Sequence, residues 1–222
     1  MTVQSRLRWR RWTQIAHRWL GLGLAVQVLL WMASGAFMSL VDMDVVRGGR
    51  TLAPSTAPML EARRYFPPGG VIAAQGAVES ITLKIWNGRP VYVVQTFAGE
   101  RLFDAATGEA LSPIGEAAAI EIARKSYLGE GDVVRAQLMQ EAPVDWRGEL
   151  PVWRIDIDDA ARTRVYVSPS TGEALAHRNA LWRIYDFFWM LHIMDYDGRN
   201  DYSNPLIRIF SVCAVLFSIT GI

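Results

Sequence analysis

The side chains best suited to chemistry are few and widely spaced. His17, His177 and His192 are the only three histidines in the 222-residue chain. An imidazole can ligate a metal or move a proton near neutral pH. His17 stands at the start of a long apolar run, and His192 ends an aromatic-rich stretch 13 residues before Pro205. His177, within Ala176-His177-Arg178-Asn179, reads as an exposed loop residue. Asp195-Tyr196-Asp197-Gly198-Arg199-Asn200-Asp201 gathers acids around a glycine, a composition that suits a hard cation. The spacing does not: an EF-type loop needs a ligand two residues after Asp197, where Arg199 stands, so a solvated turn is expected. Asp156 and Asp158, followed by Asp159, alternate with Ile155 and Ile157 as on a strand with one wet face. No His or Ser stands beside them to build a triad. Cys213 is the single cysteine, which excludes an intrachain disulfide and a thiolate metal or iron–sulfur site. No phosphate-binding glycine loop and no nucleotide fingerprint is present, so this stretch of chain holds no flavin or nicotinamide domain.

The elements that must position these residues begin with a membrane helix. Leu20 to Val41 contains no charged side chain. At about 1.5 Å per residue this run makes roughly 33 Å of helix, enough to cross a hydrocarbon core of about 30 Å. Arg6, Arg8, Arg10, Arg11 and Arg18 precede it with no acid among them. Positive flanks stay in the cytoplasm, so residues 1–19 read as a cytoplasmic basic arm touching membrane lipid and residues 20–41 as transmembrane helix 1. Ala33-Ser34-Gly35 also resembles a signal-peptide cleavage site, but the apolar run is too long for a usual signal core and a retained anchor is expected.

At the other end, residues 205–222 read as a second membrane helix, capped by Asn204 and opened by Pro205. Its apolar run, Leu206 to Ile222, gives only about 25 Å, so the chain reads as the front part of a longer protein. Gly21 with Ala25, Gly35 with Ser39, and Ala214 with Ser218 are spaced for close helix contact. Residues 181–194, LWRIYDFFWMLHIM, are expected to form an aromatic helix along the outer membrane interface.

Between these segments the pattern is that of an α+β domain. Ile81–Trp86 and Val91–Thr96 alternate with period two around Asn87-Gly88, a hairpin signal. Ser112-Pro113 opens a helix running to about Tyr127, and Val133–Met139, Val152–Ile157 and Thr163–Val167 read as strands. An internal repeat is visible: Arg101–Leu111 (RLFDAATGEAL) matches Arg164–Leu175 (RVYVSPSTGEAL) with one extra residue. A helix is expected before each copy, near Ala57–Tyr65 and Pro113–Tyr127, giving units of one helix and three strands over 45–112 and 113–180. In each, Thr caps the last turn and Gly supplies a positive φ.

Val165–Leu175, with its Thr171-Gly172-Glu173, resembles a PepSY domain. His17-Arg18-Trp19-Leu20-Gly21 before Leu30–Gly35, and Phe188-Trp189-Met190-Leu191-His192 before the second helix, resemble the membrane flanks of PepSY-associated transmembrane proteins. The resemblance implies tandem PepSY-like units in an extracytoplasmic domain, flanked by transmembrane helices in a bacterial inner membrane. That family typically has four membrane helices. It includes iron-regulated membrane proteins and ferric-siderophore reductases that carry haem between transmembrane histidines, so haem b is the cofactor implied, with His17 and His192 as its ligands. A bilayer thickness would separate the two, so each needs a second ligand from a further helix or from another subunit of a homo-oligomer. A net charge of +1 without a basic stripe beyond the N-terminal arm excludes nucleic acid as a partner. Two functions follow. One is part of a transmembrane electron-transfer system acting on ferric iron, a ferric siderophore or a redox partner protein. The other is a non-enzymatic anchored periplasmic module that binds a protein partner or inhibits a protease.

Overall fold

The computed structural model describes residues 3–53, 59–61 and 64–220. Among them the elements are α1 (Val3–Leu40), α2 (Met43–Val46), a 3-10 turn (Gly49–Thr51), α3 (Pro68–Gln75), β1 (Ser80–Trp86), β2 (Arg89–Thr96), β3 (Gly99–Asp104), α4 (Glu116–Ser126), β4 (Val133–Met139), β5 (Val152–Ile157), β6 (Arg164–Val167), β7 (Ala174–Arg178), α5 (Ala180–Ile193) and α6 (Pro205–Thr220). They fall into a helical unit, residues 1–42 with 182–222, and an α+β unit, residues 43–181.

In the helical unit, α1 is one unbroken helix of 38 residues, and Trp9–Leu40 is long and apolar enough to cross a membrane. The basic segment is therefore not a separate arm, and His17 does not open the helix but lies four turns inside it. Nothing between Val3 and Leu20 could stop a helix: there is no Pro or Gly, and Arg, Leu and Gln are good helix formers. α6 is apolar but shorter. Both later helices run antiparallel to α1. Phe188 stacks on Phe37 (ring centroids 4.3 Å apart) and the Gln27 side chain donates to the Leu191 carbonyl, whereas Phe210 meets Trp31 edge-on and Phe217 stacks on His17. α5 thus packs along the C-terminal part of α1, and α6 runs back along it from Trp31 to His17. The aromatic rings of α5 find partners on α1. Two of the small residues named above serve this packing: a Cβ on Gly21 would come within 2.8 Å of the Phe217 ring, and one on Gly35 within 3.5 Å of His192.

The α+β unit contains two antiparallel sheets, β1-β2-β3 and β4-β5-β6-β7. α4 lays Ala119, Ile122 and Ala123 against Ile155, Ile157, Val165 and Val167 of the second sheet. The same core continues into Trp86, Val91, Val93 and Leu102 of the first. The opposite face of the first sheet (Tyr92, Val94, Phe103) is covered by Val71 of α3 together with Tyr65 and Phe66. The opposite face of the second carries Val152 and Tyr166 under Trp146.

The helix expected near Ala57–Tyr65 is not where the first copy has one. Residues 54–58, 62 and 63 lie outside the described residues, 59–61 and 64–67 are not helical, and the helix is Pro68–Gln75. Pro67-Pro68 explains the shift: a proline disfavours helix in the residue before it and suits the first helical position. β7 was not anticipated as a strand. Ala-Leu-Ala-His-Arg has little intrinsic β preference, and pairing with β6 (Val165 opposite His177) imposes the conformation.

Candidate functional site

Of the three histidines, His192 is the one whose surroundings prepare it for chemistry. Ser34 lies fully buried in α1, and its Oγ is 2.6 Å from the Leu30 carbonyl oxygen and 3.0 Å from His192 Nδ1. A hydroxyl has one proton. At 2.6 Å two oxygens need that proton between them, so Ser34 donates to Leu30 and accepts from His192. In the neutral imidazole this bond selects the Nδ1–H tautomer, with the lone pair on Nε2. The ring lies over Gly35, where a Cβ would make only an ordinary contact at 3.5 Å. His192 lines a cavity of about 270 Å³ with Trp31, Ile193, Tyr202 and Ile207. The Trp31 Nε1–H is buried and has no acceptor. The site thus brings His192 and Trp31 together at one mainly apolar cavity, and leaves the buried indole N–H without a partner, which is costly.

The loop after His192 is a brace. Asp195 takes four backbone N–H groups, from Asp197 and Gly198 on Oδ1 and from Asn200 and Asp201 on Oδ2 (2.9–3.3 Å). These bonds hold its carboxyl below the usual range. Asn204 caps α6 by accepting from the Ile207 N–H and donates to the carbonyls of Ile193 and Asp201. Arg199 pairs with the buried Asp186 at 2.5 Å, and Trp189 Nε1 donates to the Arg199 carbonyl. The turn is solvated as expected, with residues 196–198 and 200–203 exposed, while its first acid, Asp195, is buried and saturated by main-chain donors. No group of three potential metal ligands occurs among the described residues.

His17 lies flat against Phe217, ring centroids 4.2 Å apart and planes 8° from parallel. Ser34, which marks the depth of His192, stands 17 residues further along the same helix, about 25 Å away. The structure therefore does not bring His17 and His192 together.

His177 is a correction. It is 4% exposed, in β7, and faces α4, where its Nε2 is 3.1 Å from Ser126 Oγ while Nδ1 has no partner. Burial, with the Arg178 charge adding to it, pushes its pKa down to about 4. The sequence hid this because His177 lies in the strand that β propensity missed. Asp156 is likewise structural: Arg154 grips it with two hydrogen bonds of 2.7 and 2.8 Å. Asp159 accepts from Tyr127 and from both donors of Thr163. Burial raises the Tyr127 pKa, and Asp159 adds to the rise, to about 12.

Ser34 and Trp31 were not singled out from the sequence as functional. Their signal was faint: a serine buried mid-span, and a tryptophan three residues, nearly one turn, before it on the same side of α1.

The Thr-Gly hairpins give the repeat its structural proof. In the first copy the Asp104 N–H donates to the Glu109 carbonyl and the Gly108 N–H to the Asp104 carbonyl. In the second, Ser168 and Gly172 do the same with Glu173 and Ser168. Asp104 Oδ1 accepts from the N–H groups of Ala106 and Thr107, and Ser168 Oγ from those of Ser170 and Thr171. The turn is closed by the residue four before the glycine in both copies, and by the threonine only in the first, where Thr107 Oγ1 accepts from the Glu109 N–H.

Residues 113–178 match the family model described as peptidase propeptide and YPEB domain, PepSY. The matched segment runs from the approach to α4 through β7, which is the second copy of the repeat. No curated protein and no solved structure matches the chain. One helix of membrane-spanning length and this segment together describe a membrane-anchored protein in which residues 113–178 are a PepSY domain.

Proposed function

We propose that this chain is the PepSY-bearing part of a transmembrane electron-transfer protein, with its N-terminus in the cytoplasm, its PepSY region in the periplasm, and His192 as a haem ligand towards the outer side of a bacterial inner membrane. The observation that carries this reading is the Ser34–His192 pair: it holds Nδ1–H and leaves Nε2 as a lone pair at a cavity, the form in which histidine ligates iron. Haem b would supply one-electron chemistry, with ferric iron, a ferric siderophore or a redox protein as the outer acceptor. His17 marks a second, inner position. Each histidine would need a second ligand from a further helix or from another subunit.

The test is a visible spectrum of the detergent-purified protein, expressed with haem supply. The expected result is a Soret band that is diminished in His192→Ala and shifted in Ser34→Ala. No Soret band in the unsubstituted protein sinks the proposal. Reporter fusions at residue 100 test the orientation: activity of a cytoplasmic reporter there reverses it.

The second reading is an anchored, non-enzymatic module that binds a protein partner or inhibits a protease. The matched family's own description, which includes peptidase propeptides, favours it. A blank spectrum together with inhibition of a periplasmic protease by the purified protein would select it.

A further inference from the structure

The β2–β3 hairpin, the loop before β5 and the β6–β7 hairpin enclose a groove of about 740 Å³ within the α+β unit. Three carboxylates line it, Glu100, Glu149 and Glu173, and no lysine or arginine does. Lys84 neutralises Glu173 at 2.6 Å, while Glu100 and Glu149 form no ion pair among the described residues. Leu150 and Leu175 supply half-exposed apolar surface, and Phe97 at the hairpin tip beside the groove is 87% exposed.

Two further features suit a polypeptide rather than a simple cation. The first is an open strand edge. Leu102 sends its N–H to Ser112 Oγ and receives the Leu111 N–H on its carbonyl, so both groups point away from β2. Main-chain direction alternates along a strand, so the N–H and carbonyl of Glu100, two residues earlier, point the same way, beyond the stretch that Leu111 and Ser112 cover. The second is Thr171 Oγ1, which lies buried at the groove without a partner, whereas its counterpart Thr107 in the first copy accepts from Glu109.

We infer that this groove binds an extended segment of a partner protein that carries lysine or arginine side chains. The segment's main chain pairs with the free edge at Glu100, a basic side chain sits against the carboxylates of Glu100 and Glu149, and an apolar neighbour covers Leu150 and Leu175. With Lys84 spent on Glu173, the unpaired carboxylates of Glu100 and Glu149 select a basic occupant over an acidic one. This site is independent of the haem reading.

The test uses the full-length protein in neutral detergent and a fluorescein-labelled hexapeptide of alternating lysine and valine, read by anisotropy. Saturable binding is expected. It should weaken about tenfold in Glu100→Gln/Glu149→Gln, a loss of about 1.4 kcal/mol, and less in Thr171→Val. A control change at another exposed carboxylate, Glu116→Gln, should leave it unaltered. Both glutamates are exposed, so the double variant should keep the parent's melting temperature. Equal binding of a glutamate–valine hexapeptide, unchanged affinity in the double variant, or displacement by spermidine at the same charge concentration would each overturn the inference.

Discussion

The two copies of the repeat share a hairpin down to individual hydrogen bonds, yet they end differently. After its turn the first copy makes a single bridge, Phe103 with Ala110, and leaves the sheet. The second continues for five residues as β7. Aligned on Thr-Gly-Glu-Ala-Leu, Pro113 of the first copy stands where the second has His177. Proline has no N–H to give a ladder, so the fourth strand cannot extend there. The family match covers the second copy, which has the complete sheet, while the first presents an open edge at the acidic groove. A repeat can thus keep its turn and lose a strand, and the lost strand leaves a surface on which something else can pair.

The turn glycines offer the largest contrast. Gly108 and Gly172 both have positive φ (79° and 61°), and a Cβ on either would strike an aromatic ring, Phe66 at 2.6 Å and Trp86 at 2.5 Å. Trp86 is buried in the main core and donates its indole N–H to the Gly172 carbonyl at 2.8 Å, so it cannot yield. Phe66 is half-buried. Gly172→Ala should therefore cost about 4 kcal/mol, and Gly108→Ala about 2 kcal/mol, from backbone strain plus overpacking. Urea unfolding followed by circular dichroism measures both. Equal losses would mean that the two rings are held equally firmly.

The outer faces of the two sheets differ next. On the first, Tyr92 donates to the Phe66 carbonyl in an otherwise apolar layer. On the second, buried Asp145 accepts from Tyr166 at 2.7 Å and Arg164 at 2.8 Å. Burial alone would raise the Asp145 carboxyl, but these two donors outweigh it and hold it below the usual range. Asp145→Ala should cost about 3 kcal/mol, because it strands the buried Tyr166 hydroxyl and leaves Arg164 with Asp156 alone of its two acid partners. Tyr92→Phe should cost about 1 kcal/mol. The same urea titrations rank them, and a reversed order would show that the charged layer contributes nothing net.

His177 makes the second copy acid-sensitive where the first, with Pro113, is not. Its folded pKa of about 4 lies below the ordinary imidazole value of 6.5, so between those values the unfolded chain binds a proton that the folded chain does not. Stability is then unaffected above pH 6.5 and falls as pH drops towards 4, by at most about 3 kcal/mol. Melting temperatures of the parent and His177→Gln between pH 7 and 4.5 test this. The variant should start lower at pH 7, having lost its fitted ring, and should decline less. Parallel curves would mean that His177 is protonated as readily in the folded state.

What the sequence disclosed follows a physical divide. The membrane run, the α+β class, β4, β5 and the Thr-Gly repeat were legible because alternation, apolar length and turn chemistry are local. β7 and His177 were not, since a strand of Ala, Leu and Ala is specified by its neighbour and not by itself. The Ser34–His192 bond joins positions 158 residues apart, and no local pattern encodes it. The turn at Asp195 was legible as a turn, but not the four main-chain donors of its own loop that occupy the carboxylate.

The smallest expected effect probes how the copies meet. Lys84 of β1 reaches Glu173 in the turn of the second copy at 2.6 Å, with both side chains substantially exposed (35% and 51%). Water screens such a pair, and ordering two long side chains offsets much of the attraction, so Lys84→Ala should cost less than about 1 kcal/mol. Trp86, two residues along on the same strand face, already fixes that turn through its indole bond to Gly172. A double-mutant cycle of Lys84→Ala with Glu173→Ala isolates the pair. A coupling well above that limit would mean that the ion pair, and not the buried indole, holds the first sheet to the PepSY turn.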